Sequence, residues 1–131
     1  MSRPPYDANV FNFRPQPKQV TWRSEKHRRR VAAMECICCG GYPPTQAAHA
    51  NVSKGLSLKA SDALLFPACP SCHSYHDSGG IPKDERRRRE LAYVEKTRED
   101  LIAVDMWPED VEAAYQAAIG PLRAVVVPIE D

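Results

Sequence analysis

The chain has 131 residues, 43% hydrophobic and 27% charged, with a formal net charge of +1. That length suits one domain with a modest core and excludes two well-packed ones. No apolar run approaches the roughly 20 residues of a membrane span and the N-terminus lacks a signal peptide's apolar stretch, so a cytoplasmic location with no membrane partner is expected.

Residues 1–23 form a proline-rich arm carrying Pro4, Pro5, Pro15 and Pro17, expected to be extended or irregular. Residues 24–131 are expected to form the single domain. Ser24 reads as the N-cap of a helix from about Glu25 to Glu35. The run Cys36-Ile37-Cys38-Cys39-Gly40-Gly41 is a turn, and Pro43-Pro44 continues the loop. Gln46 to Val52 and Ala63 to Phe66 read as two short strands. Pro70 opens a helix that runs to about Ser78, where Gly79-Gly80 and Pro82 stop it. A long helix from about Lys83 to Met106 follows, with Leu91, Val94, Leu101 and Val104 as its buried stripe. Pro108 opens a last helix to about Ile119, ended by Gly120-Pro121. The final valines, 125–127, read as a strand or an unpaired end. The fold class is therefore α+β.

Charge is unevenly distributed. Residues 1–35 carry eight Lys/Arg against three Asp/Glu, and residues 83–131 carry eight against twelve. Two dense basic runs, Lys26-His27-Arg28-Arg29-Arg30 and Lys83 through Arg89, flank the cysteines. Each run alone reads as a solvated helix face; together they point toward a polyanionic partner.

The cysteines carry the clearest chemistry. In a reducing compartment, closely spaced cysteines signal metal or catalysis more often than disulfides. Cys36–Cys39 and Cys69–Cys72 are two CxxC pairs with 29 residues between them. Each pair sets two sulfurs on one side of a tight turn, and two pairs complete a tetrahedron, so a structural Zn²⁺ is expected. With four protein ligands that ion has no open position for catalysis. Cys38 is left over as an ordinary thiol.

Three histidines remain near this staple. His49 lies on the first strand, His73 follows Cys72 on a helix, and Asp77 lies at i+4 from His73, on the same face. His76 is a weaker candidate for that face. His27 reads as a satisfied polar residue or a phosphate contact. His73 and Asp77 can grip a second ion that keeps open positions, which suits Mg²⁺ or Mn²⁺. His49 then serves as a general base for water. The alternative is that His49 is a core histidine and His73 an accessory of the zinc site.

The run CICCGGYPPTQAAHANVSKGLSLKASDALLFPACPSCHSYHD resembles the HNH (ββα-metal, His-Me finger) nucleases, especially small phage and prophage members. The resemblance covers residues 36–77, about a third of the chain. It implies a zinc-stapled ββα-metal core over residues 36–78, flanked by an N-terminal helix and C-terminal helices within 83–119. It also implies metal-dependent cleavage of DNA, in recombination or DNA processing. His49 matches the family's general base, His73 its first helical metal ligand, and Asp77 the second. Asp62 lies near the family's middle Asn and would orient the base or brace the loop. Lys54 and Lys59 are the lysines nearest the site. Arg28, Arg29, Arg30, Arg86 and Arg87 fit as backbone grips for DNA. The chain departs from the pattern at Ala48, where many members carry a metal-binding Asp or His, and no residue matches the central Asn cleanly. The competing readings are a non-catalytic zinc module that binds nucleic acid or protein, and a redox protein using its CxxC pairs.

Overall fold

Ser24 starts the first helix. Its backbone is extended, and its hydroxyl accepts the His27 N–H at 3.1 Å, satisfying one of the orphan donors of the first turn. The computed structural model describes residues 21–50 and 60–126. Residues 1–20 of the arm, residues 51–59 with Lys54 and Lys59, and residues 127–131, including the last valine of the expected terminal strand, lie outside the described residues. Helix α1 spans Glu25–Ala32. It ends before the expected Glu35 because Thr45 takes its last carbonyls. The Thr45 N–H donates to Ala32 O at 2.8 Å, and its hydroxyl donates to Met34 O at 3.0 Å. The chain is thereby turned into the cysteine loop.

Strands β1 (Gln46–His49) and β2 (Leu65–Ala68) form an antiparallel pair. Gln46 faces Ala68, Ala48 faces Phe66, and His49 faces Leu65. β2 begins two residues later than expected. Ser61 holds the preceding residues in a turn: its hydroxyl accepts from Ala63 N and its carbonyl from Leu64 N, both at 3.1 Å. β2 is buried along its whole length because both faces are covered. Leu65 and Ala47 pack with Val31 of α1 and with Leu101. Ala48, Phe66 and Ala68 pack on the other side with Val94, Tyr115, Ile119 and Leu122. Each such large apolar side chain contributes about 1.5–3 kcal/mol by leaving water.

Helix α2 spans Pro70–Ser78, with Pro70 in its first turn and Gly79 as its C-cap, as expected. Helix α3 spans Lys83–Ala103. It closes with Met106 N–H on Leu101 O and Asp105 N–H on Ile102 O, with Asp105 at φ 59°. That paired closure needs a left-handed residue, which aspartate tolerates better than most, so the helix stops short of Met106. Val94 and Leu101 are buried on α3 and Leu91 packs partly buried against the core, but Val104 is 59% exposed and does not belong to the buried stripe. The interior of α3 also holds an ionic group. Glu90, fully buried, accepts from His76 Nε2 at 2.9 Å and pairs with Arg87. This triad ties α2 to α3.

Helix α4 spans Glu109–Val125 and runs through Gly120-Pro121 rather than ending there. Proline normally disfavours the α-conformation of the residue before it through that residue's Cβ. Gly120 has none. Ile119 and Leu122, both buried in the core, gain only if the helix continues. Trp22 packs against the core, and its carbonyl accepts the Asp62 N–H at 3.1 Å. Among the described residues, no helix is long and apolar enough to cross a membrane.

Candidate metal centre and active site

The four expected cysteines converge. The sulfurs of Cys36, Cys39, Cys69 and Cys72 all lie within 4.8 Å of one another, and Cys39 Sγ is 3.9 Å from Cys69 Sγ. A tetrahedral zinc with bonds of ~2.3 Å holds its sulfurs ~3.8 Å apart, so the set fits one such ion. Local structure makes this arrangement. Cys36 N–H donates to Gly41 O and Gly40 N–H to Cys36 O, at 3.0 and 2.8 Å, which closes a tight turn with Gly40 at φ 77°. Cys69 is the N-cap of α2 and Cys72 lies in its first turn. The Ile37 N–H on Pro67 O, at 2.9 Å, anchors the first turn to β2.

Burial pushes the Cys36 thiol up, but backbone N–H groups of Cys69, Cys39 and Cys38 point at it and bring it down to about 6. Burial and then the sulfurs of Cys69, Cys39 and Cys36 push Cys72 the other way, above the ordinary thiol range. Four sulfurs this close cannot all ionise without a cation among them. A bound metal ion such as zinc would supply that charge and would couple metal binding to folding.

A second cluster centres on Asp62, whose carboxylate is fully buried. Oδ1 accepts from His49 Nε2 at 2.8 Å and from Arg23 Nη1 at 3.0 Å. Oδ2 accepts from Ser24 N at 2.9 Å and from Arg28 Nη1 at 2.8 Å. Burial alone would raise this carboxyl; the donors His49, Ser24 and Arg23 more than offset it and hold it below the usual range. An ionised carboxylate only accepts, so His49 carries its proton on Nε2 and presents Nδ1 as the basic nitrogen. The His49 side chain is 30% exposed. Solvent can therefore reach a ring whose orientation is set from behind.

The expected i, i+4 pair also forms. His73 Nε2 lies 3.2 Å from Asp77 Oδ2. His73 Nδ1 donates to Gln46 Oε1 at 2.7 Å. A metal-binding histidine commonly donates its other N–H to such an acceptor, which fixes the ring and leaves its partner nitrogen for an ion. The two pairs do not merge. Gln46 and His49 have opposite parity on β1, and three residues separate their α-carbons by ~10 Å. Among the described residues, the four cysteines are the only group of three or more His, Cys, Asp or Glu close enough to share one ion. His76, a weaker expectation for that ion, is instead buried against Glu90.

The basic runs are divided rather than pooled. Arg87 is 8% exposed and paired with buried Glu90, so it is a core residue and not a grip for DNA. Arg28 turns to Asp62, Arg29 to Glu25 at 2.7 Å, and Arg30 toward Met106 O at 3.5 Å. Arg86 is half-buried, with Nε out of contact with solvent. His27 makes no phosphate contact: it is 1% exposed, wedged between Trp22 and Trp107. Neither of its ring nitrogens has a partner among the described residues.

Sequence reasoning missed Arg23, Gln46 and Glu90. Gln46 carries no local signal, because its partner lies 27 residues away; of Glu90's partners His76 lies 14 residues away, while Arg87, three residues before it, stands at helical spacing. Arg23 sits one residue before a legible N-cap, which could have drawn attention to it. No protein-family profile, curated protein or solved structure matches this chain.

Proposed function

We propose that the protein is a metal-dependent endonuclease of the HNH type that hydrolyses DNA phosphodiester bonds. The observation that carries this reading is the His49–Asp62 pair: a partly exposed imidazole held at 2.8 Å by a fully buried carboxylate. A purely structural zinc module has no need of it. Nδ1 of His49 takes the proton of the attacking water, and Asp62 keeps the ring in the tautomer that leaves Nδ1 free. His73 Nε2 and Asp77 Oδ2 are the residues that would hold a Mg²⁺ or Mn²⁺ ion, with Gln46 orienting the histidine. Such an ion would supply Lewis-acid stabilisation of the phosphate and its leaving oxygen. A zinc ion held by Cys36, Cys39, Cys69 and Cys72 would fix the start of α2, and with it His73, against β1.

The test is plasmid nicking with Mg²⁺ or Mn²⁺, comparing the protein with His49→Ala. Loss of a general base lowers the rate by about 10²–10⁴-fold. Equal cutting by the variant removes His49 from the mechanism. Absence of cutting under every metal and pH condition removes the nuclease reading. The separation of the His49 and His73 pairs favours one rival, a non-catalytic zinc module that binds DNA. That rival predicts retained DNA binding with no cleavage.

A further inference from the structure

Asp62 is saturated, but the two guanidiniums that reach it are not. A carboxylate offers about four acceptor positions, and His49, Arg23, Arg28 and Ser24 N–H fill them. Each arginine spends only Nη1 on Asp62. A guanidinium has five N–H groups in a planar fork, so most of each remains uncommitted to any acceptor among the described residues. Both side chains reach solvent, at 38% and 39% exposure. Two guanidiniums against one carboxylate also leave a local charge of +1 beside the imidazole. Arg23 Nη1 lies 3.5 Å from His49 Nε2, so an anion gripped by Arg23 sits next to the proposed base.

We infer that Arg23 and Arg28 form a two-pronged clamp for a nucleic-acid phosphodiester beside His49, with Asp62 as the positioning residue that aims both forks. The inference rests on the nuclease reading for its substrate but not for its geometry. Fork-shaped donors bind phosphate bidentately, which a lysine cannot do. The other arginines of the first basic run do not share this arrangement. Arg29 is 76% exposed and paired with Glu25, and Arg30 leans toward the α3–α4 connection.

The test uses the full zinc-loaded chain, without added divalent ions, titrated into a short labelled DNA duplex between about 50 and 200 mM salt. Arg23→Gln and Arg28→Gln each flatten the slope of log affinity against log salt by about 1, and the double variant by about 2. Arg123→Gln, which removes the same charge at the far end of α4, leaves the slope unchanged. Arg23→Lys and Arg28→Lys keep the slope but weaken binding about threefold to tenfold, because charge survives while the fork is lost. These lysine variants also serve where a glutamine variant fails to fold. Melting temperatures within a few degrees of wild type separate the effect from a structural role. If wild type cuts DNA while all these variants keep its slope, affinity and cleavage, the clamp is overturned and the nuclease reading stands. If the slopes fall as described but no protein cuts, the clamp stands and the nuclease reading fails.

Discussion

His27 offers the sharpest test of the packing. It sits between Trp22 and Trp107, with ring centroids at 6.1 and 5.4 Å, and neither nitrogen is hydrogen-bonded among the described residues. Burial drives its pKa down from 6.5 to about 4; Asp62 and Asp110 pull upward, and Arg30 reinforces the fall. The folded protein thus refuses a proton that the unfolded chain accepts below pH 6.5. Stability is fully present above that pH and declines as pH falls, until the folded pKa near 4 is passed. A shift of this size removes about 2 kcal/mol between pH 7 and pH 5, and about 3 kcal/mol by pH 4. His27→Phe deletes this dependence, together with the cost of two unpaired buried nitrogens, at some risk of overpacking.

Urea unfolding of both proteins at pH 7, 6 and 5, followed by tryptophan fluorescence, measures the difference directly. The variant gains about 2 kcal/mol relative to wild type between pH 7 and pH 5. Cysteine protonation and zinc release affect both proteins alike and cancel in that difference. Asp62, Glu85 and Glu112 have lowered folded values, near 2 for Glu112, so their contributions are lost only as pH falls below about 4. A constant gap between the two proteins across the range refutes the buried, proton-excluding site.

Other perturbations have equally definite outcomes. Cys69→Ser opens the four-sulfur set, so the variant should lose its zinc and its cooperative unfolding transition; a folded, zinc-free variant by circular dichroism and metal analysis contradicts the staple. Glu90→Ala strands Arg87 and His76 in the core and should cost about 3–5 kcal/mol in denaturant unfolding, whereas a solvent-facing Arg87 predicts almost nothing. Pro121→Ala should raise the melting temperature, because it restores a helical N–H and removes a clash with the preceding turn, up to about 3 kcal/mol; a helix that truly ended at Gly120 would show no gain.

What was legible in the sequence follows from how far apart interacting residues lie. The CxxC turns, the Ser24 cap, Pro70 at the start of α2 and the His73–Asp77 pair are encoded within four residues, and the structure carries all of them. Position along a periodic helix was legible only in part. Arg87 looked like its neighbours in a basic run, yet the helix turns it inward to Glu90. Val104 continued the apolar spacing, yet the Asp105 closure ends the helix before it. Gly120-Pro121 read as a stop because a local rule was applied without the burial of Leu122 that overrides it.

The centre of the candidate site was the least legible part, and for one reason. Asp62 collects donors from residues 13, 34, 38 and 39 positions away, and no spacing rule links them. Its role as the orienter of His49 came only through a resemblance, while Arg23 had been set apart with the arm. The geometry ties the end of that segment to the domain. Trp22, Arg23 and Ser24 are fastened to Asp62 through a carbonyl, a guanidinium and an amide. The segment entering α1 is therefore part of the cluster that aims His49. Removing residues 21–23 would leave the buried carboxylate short of a donor and the imidazole without its fixed support, even though every cysteine and histidine remained.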